Sequence, residues 1–156
     1  MIFEIAREED FDAVNRLARQ VTAHHAQWDK SLQIVDHPYP MDFFLTCIQE
    51  NSIHENVIYV ARMNGAVVGF MRFYLWKTNS EVSETKLMLS IDDIGVEESL
   101  RHQGIGTRMM EELRSLAKQW GCSDICLYVD APNESAIAFY QKYGFQMKNI
   151  GMRMKL

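Results

Sequence analysis

A glycine pair that opens an amphipathic stretch is the strongest chemical signal in this sequence. The apolar run Ile91–Val96 leads through charged residues into Arg101-x-x-Gly104-x-Gly106. Apolar residues then recur at steps of three and four from Met109 to Trp120, which predicts a helix. A strand that passes through glycines into a helix start exposes backbone N–H groups at the positive end of the helix dipole. The segment is therefore predicted to bind an anion, most often phosphate.

Two common phosphate-binding turns fit this segment poorly. A P-loop needs a lysine directly after its last glycine, whereas Gly106 is followed by Thr107 and Arg108. A dinucleotide-binding turn needs a third glycine, and that position is Met109. It also needs an acidic residue on a strand end about 20 residues later, which the sequence lacks. A nucleotide phosphotransferase and a dinucleotide-binding enzyme are both disfavoured.

A second motif lies downstream and gives the first one a context. Residues 133–145 read N-x-x-A-x-x-x-Y-x-x-x-G-F, with Asn133, Ala136, Tyr140 and Gly144 at the defining positions. This motif, together with the [Q/R]-x-x-G-x-[G/A] loop and the strand and turn before it, resembles the GCN5-related N-acetyltransferase (GNAT) superfamily. The resemblance extends over the whole chain and is most specific from Ile91 to Phe145.

The resemblance implies a fold and an activity. The fold would be a single α/β domain over residues 1–156, with a mixed sheet of six to seven strands flanked by about four helices. The activity would be acetyl-CoA-dependent transfer of an acetyl group to a primary amine of a small molecule or a peptide. Neither motif contains a cysteine, so direct transfer is expected rather than a covalent acyl-enzyme. A non-catalytic acyl-CoA sensor stays open as an alternative.

The family pattern also implies which residues hold acetyl-CoA. The backbone around Ile94 and Val96 would pair with the pantetheine arm where this strand splays from the next, and the amides of residues 103–107 would bind the pyrophosphate. No metal site is expected. The implied cofactor-binding residues are Ile94, Val96, Arg101, Gln103, Gly104, Ile105, Gly106, Thr107, Asn133 and Tyr140.

Three catalytic roles follow from the resemblance. The Val96 N–H would polarise the thioester carbonyl, and Tyr140 would protonate the leaving thiolate. An alkylamine with a pKa near ~10 arrives protonated, so a base is required. Asp92 is the first candidate, because aminoglycoside-type members carry a glutamate there. Asp93 would face the opposite side of a regular strand.

Other candidates for the base stay open. Asp93, Glu97 or a water chain could each serve instead of Asp92. Histone-type members of the family carry their acidic residue at the position of Ser90, which cannot act as a base. A phenol hydroxyl at Tyr140 favours the enzyme over the sensor, because a protein that only binds acyl-CoA does not need it.

Hydrophobic periodicity predicts the elements around these motifs in the order β-α-α-β-β-β-α-β-α-β(-β). Asn64-Gly65 predicts a type I′ hairpin, and Gly121 predicts a helix C-cap. The segments His24–Pro40 and Lys77–Lys86 are predicted loops that select the acceptor. The predicted strands are Ile2–Ala6, Val57–Ala61, Val67–Trp76, Leu87–Val96, Ile125–Val129 and one or two within Phe145–Leu156. The predicted helices are Phe11–Ala23, Met41–Glu50, one from the glycine turn to Gly121, and Glu134–Lys142.

Composition excludes several function classes. The 156 residues are 47% hydrophobic and 24% charged, and the formal net charge of −5 argues against broad nucleic-acid binding. No apolar run approaches the ~20 residues of a membrane span, and no signal peptide is evident, so a cytoplasmic protein is expected. The three cysteines and the pair His24–His25 lack the ligand spacing of a zinc site. The sequence leaves a homodimer open.

Overall fold

The protein is an α/β domain with a single mixed sheet. The computed structural model describes residues 1–49, 55–79, 82–152 and 154. Two short 3-10 helices, Glu8–Asp10 and Glu98–Leu100, accompany the main elements. In chain order these are β1 (Ile2–Ile5), α1 (Phe11–His25), α2 (Met41–Cys47), β2 (Val57–Met63), β3 (Ala66–Lys77), β4 (Leu87–Val96), α3 (Ile105–Gln119), β5 (Asp124–Leu127) and α4 (Glu134–Tyr143).

The strands lie in sequence order across the sheet, from β1 to β5. The first four are antiparallel to their neighbours, whereas β5 is parallel to β4 because α3 connects the two strands. Asn64 and Gly65 connect β2 to β3 with φ of 51° and 82°. Two positive φ values at the turn are those of a type I′ hairpin, so this prediction is confirmed.

Each face of the sheet carries its own core, because successive side chains of a strand point to opposite faces. On one face, Val57, Tyr59 and Ala61 of β2 pack in a cluster with α3. On the other, Ile58 and Val60 of β2 pack in a cluster with α1 and α2. The two layers of helices hold the sheet between them, as the predicted class requires. None of the helices in the described part of the chain has the length and apolar character of a membrane span.

Helix α3 follows the predicted apolar stripe closely. Met109, Met110, Leu113 and Ala117 are buried against the sheet. The helix ends at Gln119 with Trp120 as its cap, and the predicted cap Gly121 follows one position later with φ of 74°, a left-handed conformation that glycine adopts without strain. The Cys122 N–H then bonds back to the Ala117 carbonyl at 2.9 Å, which satisfies the helix end.

The sheet has five strands in the described residues, fewer than the six to seven predicted. The run Ile125–Val129, predicted as one strand, forms β5 only as far as Leu127 and lies at the edge of the sheet. No strand forms in the described residues of the predicted Phe145–Leu156 region, although apolar and polar residues alternate there. A strand needs a partner, and in the described part of this region Phe145 packs on the core whereas Ile150, Met152 and Met154 are exposed.

Two predicted boundaries meet residues outside the described ranges. Helix α2 begins at Met41 as predicted and ends at Cys47, and Glu50 lies outside the described residues. In the predicted loop Lys77–Lys86, the Thr78 N–H bonds to the Lys86 carbonyl at 2.9 Å and closes the base of the loop. Residues 80 and 81 of that loop are also outside the described ranges.

Candidate active site

Strands β4 and β5 separate half-way along β4. Their last paired residues are Ile91 and Leu127, whereas β4 continues to Val96 against β3. The edge of β4 from Asp92 to Val96 therefore has no strand on its β5 side among the described residues. This is the splay that was predicted near Ile94 and Val96, and it leaves backbone donors and acceptors available to an extended ligand.

The turn into α3 presents unpaired backbone donors. The first helical hydrogen bond runs from the Arg108 N–H to the Gly104 carbonyl at 3.0 Å. The N–H groups of Ile105, Gly106 and Thr107 therefore precede the intrahelical ladder, at the positive end of the helix dipole. Gly104 has φ of 81°, which a residue with a Cβ adopts only with strain. The turn thus has the construction of an anion-binding site.

This turn also adjoins both other elements of the site. A Cβ built on Gly106 would lie 3.9 Å from Val96 Cγ2 of β4 and 3.7 Å from Phe139 Cζ of α4. The end of β4, the start of α3 and the middle of α4 therefore meet at one point. A methyl group at position 106 would fit at ordinary contact distance, so the free protein does not require glycine there. It requires glycine at position 104, because the backbone φ of Gly104 is positive.

Two polar side chains of the loop bond to the loop itself. Arg101 donates from Nε to the Val96 carbonyl at 3.2 Å, and Gln103 donates from Nε2 to the Ser99 carbonyl at 3.3 Å. Arg101 was predicted to be one of the cofactor-binding residues. In the structure it also fixes the chain reversal between β4 and α3.

The two aspartates of β4 sit at a β-bulge. Arg72 of β3 is opposite Asp93 and Phe73 is opposite Ile91, so Asp92 has no residue opposite it. Asp93 was expected to face away from Asp92 only in a regular strand, and this condition is not met because a bulge interrupts the alternation. Arg72 reaches both carboxylates, with Nη1 2.9 Å from Asp92 Oδ2 and Nη2 3.1 Å from Asp93 Oδ2.

Arg72 and Tyr39 complete a network that the sequence analysis did not identify. The Tyr39 hydroxyl donates to Asp93 Oδ2 at 2.5 Å, and Arg72 Nε donates to the same oxygen at 3.2 Å. The Arg72 guanidinium also donates to Asn56 Oδ1 at 2.7 Å and lies 5.6 Å from the centre of the Tyr39 ring. The sequence contained one signal for this network. Arg72 is a charged residue within the apolar strand run Val67–Trp76, and a charge buried in a sheet requires a partner.

The two carboxylates differ in their hydrogen-bond partners. The pKa of Asp92 is raised above its usual range by burial, the Arg72 charge opposes this shift, and the charge of Asp93 adds to it. Asp93 accepts hydrogen bonds from Tyr39 and Arg72 on one oxygen. Burial, followed by the neighbouring Asp93 charge, also raises the pKa of Tyr39 well above its usual value, so this phenol stays protonated and donates.

Glu97, another candidate for the base, is engaged by α1. Its carboxylate forms an ion pair with Arg16 and accepts a hydrogen bond from Gln20 Nε2 at 2.9 Å. It also accepts from the Glu98 N–H at 3.1 Å, as the cap of the 3-10 turn. These contacts give Glu97 a structural role in holding the loop after β4.

Helix α4 brings Tyr140 to the site. Burial raises the pKa of Tyr140 to about 12, and the negative charge of Asp93 contributes, so the phenol lies within electrostatic reach of β4. Phe139 and Phe145 contact the Tyr140 ring at 5.3 and 5.6 Å between ring centres. The buried Asn133 caps the helix by accepting from the Ala136 N–H at 3.2 Å, a role that is independent of any cofactor.

The family follows from a comparison with known sequences. A model of the acetyltransferase (GNAT) family matches residues 21–145, which include the splayed strand, the glycine turn and α4. The chain belongs to the GNAT family. Among curated relatives, an uncharacterized N-acetyltransferase of Methanocaldococcus jannaschii is 33% identical over 97 residues, 62% of this chain and 42% of the relative. The probable N-acetyltransferase san of Drosophila melanogaster is 31% identical over 130 residues, 81% of this chain and 66% of the relative.

Solved structures of other proteins share this GNAT fold. A tetramutant of a Bacillus halodurans protein superposes with a TM-score of 0.91 at 23% identity, over 100% of both chains. An aminoglycoside N-acetyltransferase in complex with CoA gives a TM-score of 0.73 at 14% identity, over 99% of this chain and 93% of that chain. The matches to the first curated relatives span only 42 to 66% of their lengths.

The α1–α2 connection of this GNAT protein crosses to the far side of the opening. Trp28 donates from Nε1 to Asp130 Oδ2 at 3.2 Å, in the turn between β5 and α4. His24 and His25 contact the same indole, at 4.9 and 5.9 Å between ring centres. The connection therefore touches β4 through Tyr39 and the β5–α4 turn through Trp28.

No group of three or more metal-ligating side chains occurs in the described ranges, these histidines included.

Proposed function

We propose that this GNAT protein is an acetyl-CoA-dependent N-acetyltransferase that transfers the acetyl group directly to a primary amine of a small molecule or a peptide. The observation that carries the proposal is the opening between β4 and β5. On it converge a turn whose first N–H groups precede the helical ladder, a carboxylate of raised pKa and a half-buried phenol. These are the groups that acyl transfer from a thioester to an amine requires.

The residues at the α3 start fit the phosphate end of acetyl-CoA. The N–H groups of Ile105, Gly106 and Thr107 precede the helical ladder and are oriented donors that need no side chain to be ordered. The left-handed conformation of Gly104 turns the backbone so that these groups lie at the helix start. No lysine or metal-binding cluster is needed for such a cradle, because the helix dipole supplies positive potential. Arg101 and Gln103 hold the loop in this shape through their bonds to backbone carbonyls.

The free edge of β4 fits the arm and the thioester. Acetyl-CoA supplies an acetyl group activated as a thioester. Ile94 and Val96 lie on the part of β4 that β5 leaves unpaired, so their backbone groups would hydrogen-bond an extended chain laid in the opening. The Val96 N–H would donate to the acyl oxygen where negative charge develops during attack.

Among the carboxylates near the opening, Asp92 fits the base best. Asp93 is held by Tyr39 and Arg72, and Glu97 is held by Arg16 and Gln20. Asp92 is paired with Arg72 at 2.9 Å and with no second side chain among the described residues, and its pKa is raised above that of an ordinary aspartate. A carboxylate with a raised pKa accepts the proton of an attacking ammonium more readily, directly or through one water.

Tyr140 fits the acid. Because its pKa is raised to about 12, the phenol is protonated throughout the physiological range and can give its proton to a departing thiolate. A free thiol has a pKa near ~8.5, so a free thiolate is a weaker base than this phenolate, and the phenol would have to give its proton while the carbon–sulfur bond breaks. The phenolate is then reprotonated from solvent.

The charges around the opening favour a cationic acceptor. Asp92 and Asp93 contribute two negative charges, and Arg72 balances only one of them. An ammonium group entering beside Asp92 would therefore be attracted before it loses its proton. The connection between α1 and α2, anchored by Tyr39 and Trp28, would form the wall that contacts the rest of the acceptor.

The proposal is tested by incubating the protein with acetyl-CoA and a panel of amines, scored by release of free thiol. The panel should include polyamines, aminoglycosides, amino acids and peptide N-termini. Binding of acetyl-CoA is measured separately by titration calorimetry. Thiol release that depends on one class of amine supports the enzyme. Intact binding with no release for any amine would favour the acyl-CoA sensor, and absence of binding would overturn both.

A further inference from the structure

Arg72 connects the two aspartates of β4 through one guanidinium group. Its Nη1 lies 2.9 Å from Asp92 Oδ2, and its Nη2 lies 3.1 Å from Asp93 Oδ2. Successive side chains of a regular strand point to opposite faces, so one arginine on the neighbouring strand would not reach both. The bulge opposite Arg72 and Phe73 interrupts this alternation, and both carboxylates come within reach of the planar guanidinium fork.

The guanidinium is held by groups other than Asp92. Asp93 Oδ2 accepts from Nε of Arg72 at 3.2 Å, and Asn56 Oδ1 accepts from Nη1 at 2.7 Å. The guanidinium carbon lies 5.6 Å from the centre of the Tyr39 ring, within the range of a cation–π contact. Arg72 therefore has partners that keep it in place when an amine approaches the carboxylate of Asp92.

Asp92 has one side-chain partner among the described residues. Its Oδ2 pairs with Arg72, whereas Asp93 also accepts from Tyr39. The pKa of Asp92 is raised by burial, lowered by the charge of Arg72 and raised by the charge of Asp93. Loss of the guanidinium would therefore release the carboxylate from its orientation and raise its pKa further.

We propose that Arg72 is a positioning residue for the Asp92 base, which it orients at the opening and holds in the ionised form without contacting the reacting atoms. The role of Asp92 as base rests on the proposed function. The control that Arg72 exerts over Asp92 is a property of the free protein, so it holds whether or not an amine is acetylated. The contact and the activity can therefore fail independently.

Other titratable groups surround this pair. Tyr39 of the α1–α2 connection and Tyr140 of α4 have pKa values raised by burial, and burial also raises the pKa of the Cys47 thiol of α2. These three groups stay neutral in the acid range in which a carboxylate ionises. Asp93 is the other carboxylate at this point, so its titration has to be resolved from that of Asp92.

Arg62 of β2 provides a matched control. Its Nε lies 3.1 Å from Glu4 Oε1 of β1, and its Nη2 lies 2.8 Å from Asp10 Oδ2 of the 3-10 helix before α1. It therefore also joins two carboxylates through one guanidinium, with its side chain 13% exposed against 19% for Arg72. Arg62→Gln should lower stability in a similar way without affecting Asp92.

The first test follows the carboxyl carbon signals of the free protein by NMR over pH, with Asp92→Asn and Asp93→Asn to assign the two β4 carboxylates. Arg72→Gln is expected to move the midpoint of Asp92 to higher pH, because the opposing positive charge is lost. Arg62→Gln should leave that midpoint at its wild-type value. Urea unfolding of both variants checks that the signals come from folded protein. A midpoint that Arg72→Gln does not raise, or that both variants raise equally, would overturn the proposal.

The second test separates orientation from charge. Arg72→Lys keeps the positive charge, but a single ammonium cannot reproduce the fixed fork that bonds to both aspartates and Asn56. With an amine that the wild type acetylates, at a pH above the acid limb, kcat of Arg72→Lys is expected to fall about 10-fold or more, because a small displacement of the base makes it less effective. Arg62→Lys should keep the wild-type kcat.

The outcomes of this second test are distinct. A wild-type kcat in Arg72→Lys would overturn the positioning role. A wild-type protein without turnover for any amine would contradict the proposed activity, and the titration would still decide whether Arg72 controls Asp92.

Discussion

The hydroxyl of Tyr39 lies 2.5 Å from a carboxylate oxygen of Asp93, across 54 positions of sequence. Tyr39 is buried between Pro38 and Pro40, and its backbone N–H bonds to Asn15 Oδ1 of α1 at 2.8 Å. This contact fastens the α1–α2 connection to the bulged strand that carries both aspartates. The acceptor wall and the proposed base therefore belong to one bonded unit.

Replacing Tyr39 with phenylalanine should loosen this unit. Tyr39→Phe removes one of the donors to a half-buried carboxylate, so the free energy of unfolding is expected to fall by about 1–3 kcal/mol. The acceptor KM should rise, while affinity for acetyl-CoA, which the α3 turn would determine, should stay at the wild-type value. Urea unfolding, steady-state kinetics and calorimetry measure the three quantities. An unchanged acceptor KM would show that the connection between α1 and α2 does not contact the acceptor.

The two aspartates should respond differently to the same substitution. Asp92→Asn is expected to lower kcat/KM by about 10²-fold or more, since it removes the proposed base. Asp93→Asn should mainly lower stability, by about 1–3 kcal/mol, because Tyr39 and Arg72 lose a charged partner. Kinetics and denaturant unfolding on both variants separate the roles. If Asp93→Asn lost as much activity as Asp92→Asn and lost no stability, Asp93 would be the base instead.

The raised pKa of Asp92 also predicts two pH dependences. With an aromatic amine that stays neutral, kcat/KM should rise with pH through an acid limb centred above the usual aspartate value of 3.8, and Asp92→Asn should lack that limb. Because the folded chain binds this proton more tightly than the unfolded chain, ionisation of Asp92 disfavours folding as pH rises through this range. Asp92→Asn should therefore leave stability at pH 7 unchanged or higher. A limb that persists in the variant belongs to another group.

Gly104 and Gly65 provide a matched pair for the anion turn. Both have left-handed backbones, with φ of 81° and 82°, and at both a Cβ meets nothing within 4 Å. Each alanine variant should therefore lose about 1 kcal/mol of stability through backbone strain alone. Only Gly104→Ala should also weaken acetyl-CoA binding, measured by calorimetry, because Gly65 lies in the β2–β3 hairpin. Equal affinities for the two variants would place the pyrophosphate elsewhere.

The sequence predicted those features that depend on local chemistry. Asn64-Gly65 specified its hairpin because few residue pairs tolerate two positive φ values, and the stripe from Met109 to Ala117 specified α3. The glycine turn and the motif around Tyr140 pointed to the GNAT family, which the family match confirms. Their assigned roles in binding and catalysis stay predictions.

The rest depended on pairing between distant segments. The continuous apolar run Ile125–Val129 was predicted to be a central strand, which is wrong for the described sheet, because an apolar run cannot say which strands will pair beside it. The bulge at Asp92 could not be predicted from the sequence, because it arises from the register of β4 against β3. The roles of Arg72 and Tyr39 could not be predicted for the same reason. Their common partner Asp93 is 21 positions from Arg72 and 54 positions from Tyr39.

Comparison of Tyr140→Phe with Tyr143→Phe tests the central claim most directly, because the two phenols lie on the same helix about one turn apart. The measurement is the rate of acetylated amine formation at saturating acetyl-CoA, followed by mass spectrometry. Tyr140→Phe is expected to lose about 10²-fold or more in kcat while calorimetry shows acetyl-CoA binding unchanged. Tyr143→Phe should keep the wild-type rate, since the Tyr143 ring packs with Phe145 against the α3 side of the core. A Tyr140→Phe variant that forms product at the wild-type rate would contradict the account of acetyl transfer across this opening.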